Sequence, residues 1–218
     1  MSTSTKENLI SRIYKSRTVL LQQLEMQGYS CDDYKYFSSN EIYTMVKNNQ
    51  LDMLITRESN APTGKESKLY IKYMLDEKQL RPQILDKLVE DLFELEEVLT
   101  DKTTDSIVVV CNEEPNETMQ KKMQYMFDRN GYFVVLHNIH RLQFNLLEHQ
   151  MVPDCKILSE TEIQELMEKY NIKDVRNLPE ISRFDPQALA MTLRPGKIMK
   201  FMRKSMTAME TPYYRICI

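Results

Sequence analysis

The sequence predicts an α/β fold, α+β over the whole chain, with a three-layer N-terminal domain (residues 1–143) and a small second domain (residues 144–218). Three observations predict it. A β-branched run over 107–111, the helical set Met119, Met123, Met126 and Phe127, and a strand-like run over 132–136 follow one another as a βαβ unit. Only four glycines occur among 218 residues, too few for the turns of a sandwich or barrel. After Arg141 the elements shorten and prolines become more frequent, which places a boundary near Phe144.

The elements follow in order. Over residues 6–27, Leu9, Ile13, Leu20 and Leu24 recur at helical spacing, and Gly28 supplies the left-handed stop. Ser38 and Glu41 have capping-box spacing ahead of Ile42, Met45 and Val46, so a second helix runs over about 39–48. Short apolar runs at 51–56 and 69–75 read as a hairpin joined by a loop around Pro62 and Gly64. Pro82 opens a long helix whose buried stripe is Leu85, Leu88, Leu92, Leu95 and Leu99 and whose outer face is acidic at Glu90, Glu94 and Glu97. In the second domain, Ser159 and Glu162 cap a helix that turns Ile163, Leu166, Met167 and Tyr170 inward. Asp185 and Pro186 start a shorter helix ending at about Leu193. Gly196 and the Tyr-Tyr-Arg-Ile-Cys-Ile terminus favour a closing β-hairpin.

Composition narrows the function classes. Hydrophobic residues make up 42% and charged residues 28%, as in a folded soluble chain. Twenty-nine Lys and Arg stand against 32 Asp and Glu, a net charge of −3 that cannot hold nucleic acid by bulk field. Gly28, Gly64, Gly131 and Gly196 build no phosphate-cradling loop. The scattered Cys31, Cys111, Cys155 and Cys217 form no CxxC pair, which points to a reducing, intracellular setting. No apolar run approaches the ~20 residues of a bilayer span, so no membrane partner is expected.

Three constellations can be drawn toward chemistry. Asp52, Glu66 and Lys68 loosely fit the acidic-then-[DE]-x-K signature of Mg²⁺-dependent nucleases, in which carboxylates hold the metal and lysine steadies charge. The same triplet arises at Asp33/Lys35, Asp76/Lys78 and Asp154/Lys156, so solvated surface charge is the plainer reading. His137 and His140, with Cys155 or His149, could be drawn as a metal cluster, but positions three apart on a strand face opposite ways. Basic residues Lys197, Lys200, Arg203 and Lys204 invite a nucleic-acid reading, as do Lys121, Lys122 and Arg129, with a solvated face the plainer reading in either case. The late methionines and Phe201 are a further case. Met199, Phe201 and Met202 sit in a domain small enough to be marginal alone, which suggests burial against a partner.

Five ordered blocks then carry a resemblance. They are Glu148-His-Gln-Met-Val-Pro153, Leu178-Pro-Glu-Ile-Ser-Arg-Phe-Asp-Pro-Gln-Ala-Leu189, Leu193-Arg-Pro-Gly-Lys197, Arg203-Lys-Ser205 and Tyr214-Arg-Ile-Cys-Ile218. Together they resemble the fifth shared subunit of eukaryotic RNA polymerases, and its archaeal counterpart in the C-terminal part alone. The N-terminal part is similar more faintly, in Asn8-Leu-Ile-Ser-Arg-Ile-Tyr-Lys-Ser-Arg-Thr-Val19 and in the order of elements. One loop departs from the family. Where members carry a Thr-Pro-Ser-Ala-like sequence that approaches downstream DNA, this chain has Asn112-Glu-Glu-Pro-Asn-Glu-Thr118, and Asp154-Cys155 replaces a Lys-His-like ending.

The resemblance implies a nuclease-like N-terminal jaw domain and a small mixed-sheet C-terminal assembly domain. It implies a non-catalytic subunit of a DNA-directed RNA polymerase, with no cofactor, metal or catalytic residue of its own and no homo-oligomer. Its partners would be the largest polymerase subunit, other polymerase subunits and, weakly, downstream duplex DNA. Motif-matched partner-binding candidates are His149, Val152, Pro153, Arg194, Pro195, Gly196, Tyr214, Arg215 and Ile216; DNA-binding candidates are Lys121, Lys122 and Arg129. A cellular member would act in the nucleus. The diverged jaw, abundant methionine and scarce glycine also suit a large DNA virus, whose copy would be found in the virion and host cytoplasm. A free-standing Mg²⁺-dependent nuclease on Asp52, Glu66 and Lys68 is the alternative.

Overall fold

A computed structural model describes residues 3–57, 66–75 and 80–218; the loop expected around Pro62 and Gly64 and the Asp76/Lys78 triplet lie outside the described residues. The chain divides into two compact units, Met1–Phe144 and Asn145–Ile218.

In the first unit, helix α1 (Thr3–Met26) buries Ile13, Leu20 and Leu24. It ends where Gly28 adopts φ +85°, a conformation that only glycine takes freely. Helix α2 (Ser39–Lys47) starts with the expected capping box on Ser38 and Glu41. Strand β1 (Met53–Arg57) runs antiparallel to β2 (Ser67–Met74), which is parallel to β3 (Ser106–Cys111), itself parallel to β4 (Phe133–Asn138). Sheet order is β1-β2-β3-β4, so the fold is the predicted mixed α/β class. Helices α3 (Pro82–Glu90) and α4 (Glu117–Asn130) make the two crossovers in the same direction, and right-handed connections put both on one face. Contacts from β2 identify the layers. Tyr73 reaches Ser16 of α1 (Oη···Oγ 3.4 Å), while Lys68, of opposite strand parity, donates to the Val98 carbonyl beyond α3 (3.3 Å). All six residues of β3 are buried, as its unbroken β-branched run requires.

The long helix expected after Pro82 is shorter than predicted. It passes into a π turn over Asp91–Leu95, closed by Glu96 N–H donating to the Asp91 carbonyl at 2.8 Å. The extra residue in that turn rotates the apolar stripe out of phase: Leu92 stays buried, Leu95 is 71% exposed, and Leu99 is buried only after the helix has ended.

The second unit is a mixed four-stranded sheet in the order β5-β7-β8-β6. Strands β5 (Asp154–Ile157), β7 (Ile198–Ser205) and β8 (Met209–Cys217) are antiparallel, and the two-residue β6 (Glu180–Ile181) is parallel to β8. Strand parity splits the interior into two cores. Met199, Phe201 and Cys217 face helix α6 (Pro186–Ala190) and Leu147, whereas Ile198 and Ile216 face Leu166 of helix α5 (Glu160–Tyr170). Burial of Met199 and Phe201 therefore needs no partner, contrary to the expectation from domain size; their own unit covers them because α6 lies on that face. Helix α6 stops at Ala190 instead of near Leu193, and Tyr170 is half exposed instead of inward.

Ser159 caps α5 with the predicted box, its N–H donating to Glu162 Oε2 at 3.0 Å, and Lys156 Nζ meets the same carboxylate at 2.6 Å. Lys156 first, and then the Ser159 backbone, hold the Glu162 carboxyl below its ordinary range. A depressed folded-state pKa contributes stability that is complete above the unfolded glutamate value of about 4.3 and is lost as pH falls through the folded one. Ser159→Ala should cost about 1 kcal/mol in urea unfolding at pH 7, and less once pH has fallen below the lowered folded-state value of Glu162, where the other half of the box has also gone.

Candidate functional site

The motif-matched residues of the C-terminal unit fall at two places along β7. His149 ends a single helical turn and accepts the Met151 N–H at Nδ1 (3.2 Å); it is exposed. Val152 and Pro153 are half-buried, and the Pro153 carbonyl accepts from Gln187 Nε2 of α6 (3.3 Å). The chain then enters β5, where Asp154 pairs with Met202. Residues 194–196 lead into the other end of β7. Gly196, at φ +85°, donates its N–H to the Cys217 carbonyl (2.9 Å), and Lys197 N–H closes the turn on the Arg194 carbonyl (3.1 Å). The interval from Ile198 to Met202 separates the two groups by about 13 Å at strand rise.

Some of these side chains build the unit itself. Ile216 lies in the α5-side core, and Tyr214 packs edge-on against Tyr170 at 6.1 Å. His149, Val152, Pro153, Arg194, Pro195 and Arg215 keep part of their surface exposed. Arg215 stacks on the Tyr213 ring at 5.4 Å, and Arg203 covers that ring at 4.0 Å. Sequence reasoning missed this stack. Its trace was the period-two spacing of Tyr213 and Arg215, whereas Arg203 joins only through strand register.

On α4 the candidate DNA contacts are largely neutralised. Lys121 pairs with Glu117 at 2.7 Å and Lys122 with Asp86 at 2.8 Å, while Arg129 lies 5.7 Å from the Tyr125 ring. The acidic loop before the helix is held by its own side chains. Glu114 takes the Arg141 guanidinium through two oxygens (2.7 and 2.8 Å), Asn112 Nδ2 donates to the Leu75 carbonyl (2.6 Å), and Asn116 caps Met119 N–H (2.9 Å). Exposed ion pairs of this kind contribute about 0–1 kcal/mol. A Lys121→Ala/Lys122→Ala double variant is accordingly expected to change duplex-DNA affinity by less than about threefold in a fluorescence-anisotropy titration.

The nuclease constellation does not assemble. Asp52 accepts from Tyr70 Oη (2.9 Å) and meets Lys72 Nζ (3.5 Å). Strand register places it level with Lys72, six residues or about 20 Å along β2 from Glu66. Lys68 is spent on the Val98 carbonyl. The histidines do not converge either. His137 is buried in β4, His140 is exposed in the following turn, and no group of three His, Cys, Asp or Glu among the described residues is arranged to hold a metal ion. Burial pushes the thiols of Cys31, Cys155 and Cys217 up to about 11 and raises that of Cys111, leaving these thiols protonated at neutral pH. Among the described residues, the most enclosed carboxylate went unnoticed in the sequence. Asp105, 1% exposed, accepts the N–H groups of Lys68, Thr100 and Asp101 at 2.9–3.0 Å and serves the fold.

Comparison with known proteins falls on the C-terminal unit. The family model described as RNA polymerase Rpb5, C-terminal domain, matches residues 144–217. The chain is 41% identical over 76 residues to DNA-directed RNA polymerase subunit Rpo5 of Thermococcus kodakarensis, covering 35% of this chain and 92% of that one. It is 42% identical over 76 residues to the Rpo5 subunit of Pyrococcus abyssi, with the same shares. For Methanococcus maripaludis Rpo5 the figures are 44% over 70 residues, 32% of this chain and 88% of the relative.

Proposed function

Because this chain belongs to the RNA polymerase Rpb5 family, whose archaeal members carry the name Rpo5, we propose that it is a non-catalytic subunit of a multisubunit DNA-directed RNA polymerase. One observation carries the reading. The matched segment spans 88–92% of these archaeal relatives and coincides with a unit that has its own sheet and two cores, so what is shared is an entire structural body and not a motif. Nucleotidyl transfer would take place on other subunits. The dispersal of Asp52, Glu66 and Lys68 supports that division of labour over a free-standing nuclease.

The C-terminal unit acts as the assembly domain and docks on the largest subunit through His149, Val152, Pro153, Arg194, Pro195 and Arg215, matched residues whose side chains retain exposed surface. Gly196, Tyr214 and Ile216 contribute by shaping that surface. The N-terminal unit takes the place of a jaw beside downstream DNA, touching it weakly because Lys121 and Lys122 are paired and the loop before α4 is acidic. The subunit resides wherever its polymerase works, the nucleus for a cellular enzyme or the virion and host cytoplasm for a viral one. Affinity purification of the tagged full-length chain from its native cells, followed by mass spectrometry, is expected to recover the large polymerase subunits in near-stoichiometric amounts. Their absence at low salt would reject the assignment.

A further inference from the structure

The β7–β8 hairpin outruns the strands that flank it. β5 pairs no further than Met202, and β6 pairs only with Ile216 and Cys217. Beyond those points both edges of the hairpin are without a neighbouring strand among the described residues. Strand parity says which backbone groups face the open edge of β8. Cys217 exchanges hydrogen bonds toward β7, through Lys197 and Gly196, while Ile216 N–H points the other way, to the Pro179 carbonyl. Counting back by twos, Glu210, Pro212 and Tyr214 turn outward, and Pro212 has no N–H to offer. A strand added there would lose its central donor, so recognition by backbone pairing is disfavoured and the side-chain face remains.

That face is cationic and aromatic. The Tyr213 ring lies between the guanidiniums of Arg203, at 4.0 Å, and Arg215, at 5.4 Å. Their register partners are Phe201, Thr211 and Met199, none of them acidic, and Glu210 pairs with Lys204 on the opposite face. Among the described residues no carboxylate forms an ion pair with Arg203 or Arg215. The Nε of Arg215 is buried and has no hydrogen-bond acceptor among the described residues. A guanidinium fork already ordered on a ring matches a carboxylate in both shape and charge. A nucleic-acid track, by contrast, needs repeated cations, and residues 145–218 hold eleven basic against ten acidic side chains.

We infer that the Arg203/Tyr213/Arg215 face seats an acidic segment of a neighbouring polymerase subunit, with a carboxylate held by the Arg203 guanidinium. This rests on the polymerase reading and names the chemistry by which the small unit would grip its partner.

The test uses the full-length tagged chain purified with its polymerase from cells, as wild type, Arg203→Glu and Arg203→Lys. Arg203→Glu is expected to lower recovery of the partner subunits at least about tenfold at about 0.15 M salt, since it sets like charges against each other. Arg203→Lys keeps the partner and places an amine at this position. A zero-length carbodiimide should then join residue 203 to an Asp or Glu of another subunit, a cross-link that wild type lacks and peptide mass spectrometry locates. If Arg203→Glu lowers the melting temperature of the chain, the Arg203→Lys cross-link decides alone. Undiminished recovery with folded Arg203→Glu, a cross-link confined to this chain, or release of the partner by nuclease overturns the inference and leaves the polymerase assignment standing. A wild-type chain that recovers no polymerase subunit overturns both.

Discussion

Phe201→Ala is expected to unfold the C-terminal unit within the intact chain while the N-terminal unit remains folded. Phe201 is 3% exposed and shares one small core with Met199, Leu193 and Cys217. Emptying such a site costs about 3–5 kcal/mol. A unit of some seventy residues has about that much stability in total, because its surface is large for its volume. Hydrogen exchange read by mass spectrometry separates the two units. Amides of β7 and β8 should lose protection to near the unfolded rate, and those of β3 should keep theirs. Met206→Ala is the control: its side chain is fully exposed at the hairpin tip and should change nothing. Retained protection in β7 of the Phe201→Ala chain would mean that the α6-side core is not what holds this unit together.

Asp105→Asn should have the second-largest effect, and it falls on the other unit. One carboxylate oxygen accepts Lys68 N–H at 2.9 Å, and the other accepts Thr100 and Asp101 N–H at 2.9 and 3.0 Å. An isosteric amide keeps one acceptor and turns two N–H donors of its own toward groups that are donors themselves. At least one buried backbone N–H is orphaned, for a cost of about 2–4 kcal/mol by chemical denaturation. Exchange should speed up locally, around the start of β2 and the turn before β3, while the C-terminal unit is unaffected. Uniform destabilisation below about 1 kcal/mol would show that water replaces the lost bonds.

Both sites show how legibility in sequence depends on the range of the cause. Capping boxes at Ser38 and Ser159 were readable because cap and partner are three residues apart, and the β-branched run of β3 because burial on both faces leaves no other composition open. The end of α3 was not readable. Leu95 fits the heptad-like stripe, yet a single π turn, in which Phe93 and Glu94 engage Tyr132, rotates it to the surface. Strands β5 and β6 escaped notice since four and two residues carry too little periodicity to register. The role of Asp105 depends on Lys68, 37 residues away in the chain, and nothing in local spacing marks it.

The candidate surface divides in the same way. Ordered blocks from Glu148 to Ile218 were enough to place the chain in its family, because they follow one another along a single continuous stretch of sequence. Which of those residues look outward was decided only by three-dimensional packing. On β8, alternate side chains go to opposite faces, so Ile216 enters the α5 core while Arg215, its neighbour, joins Tyr213 and the distant Arg203 on the other side. The amino-acid sequence thus determined the element types, the family and the near-neutral charge. Tertiary structure decided what meets what, since hydrogen bonds, stacking and desolvation act over a few ångströms of space whatever the separation along the chain.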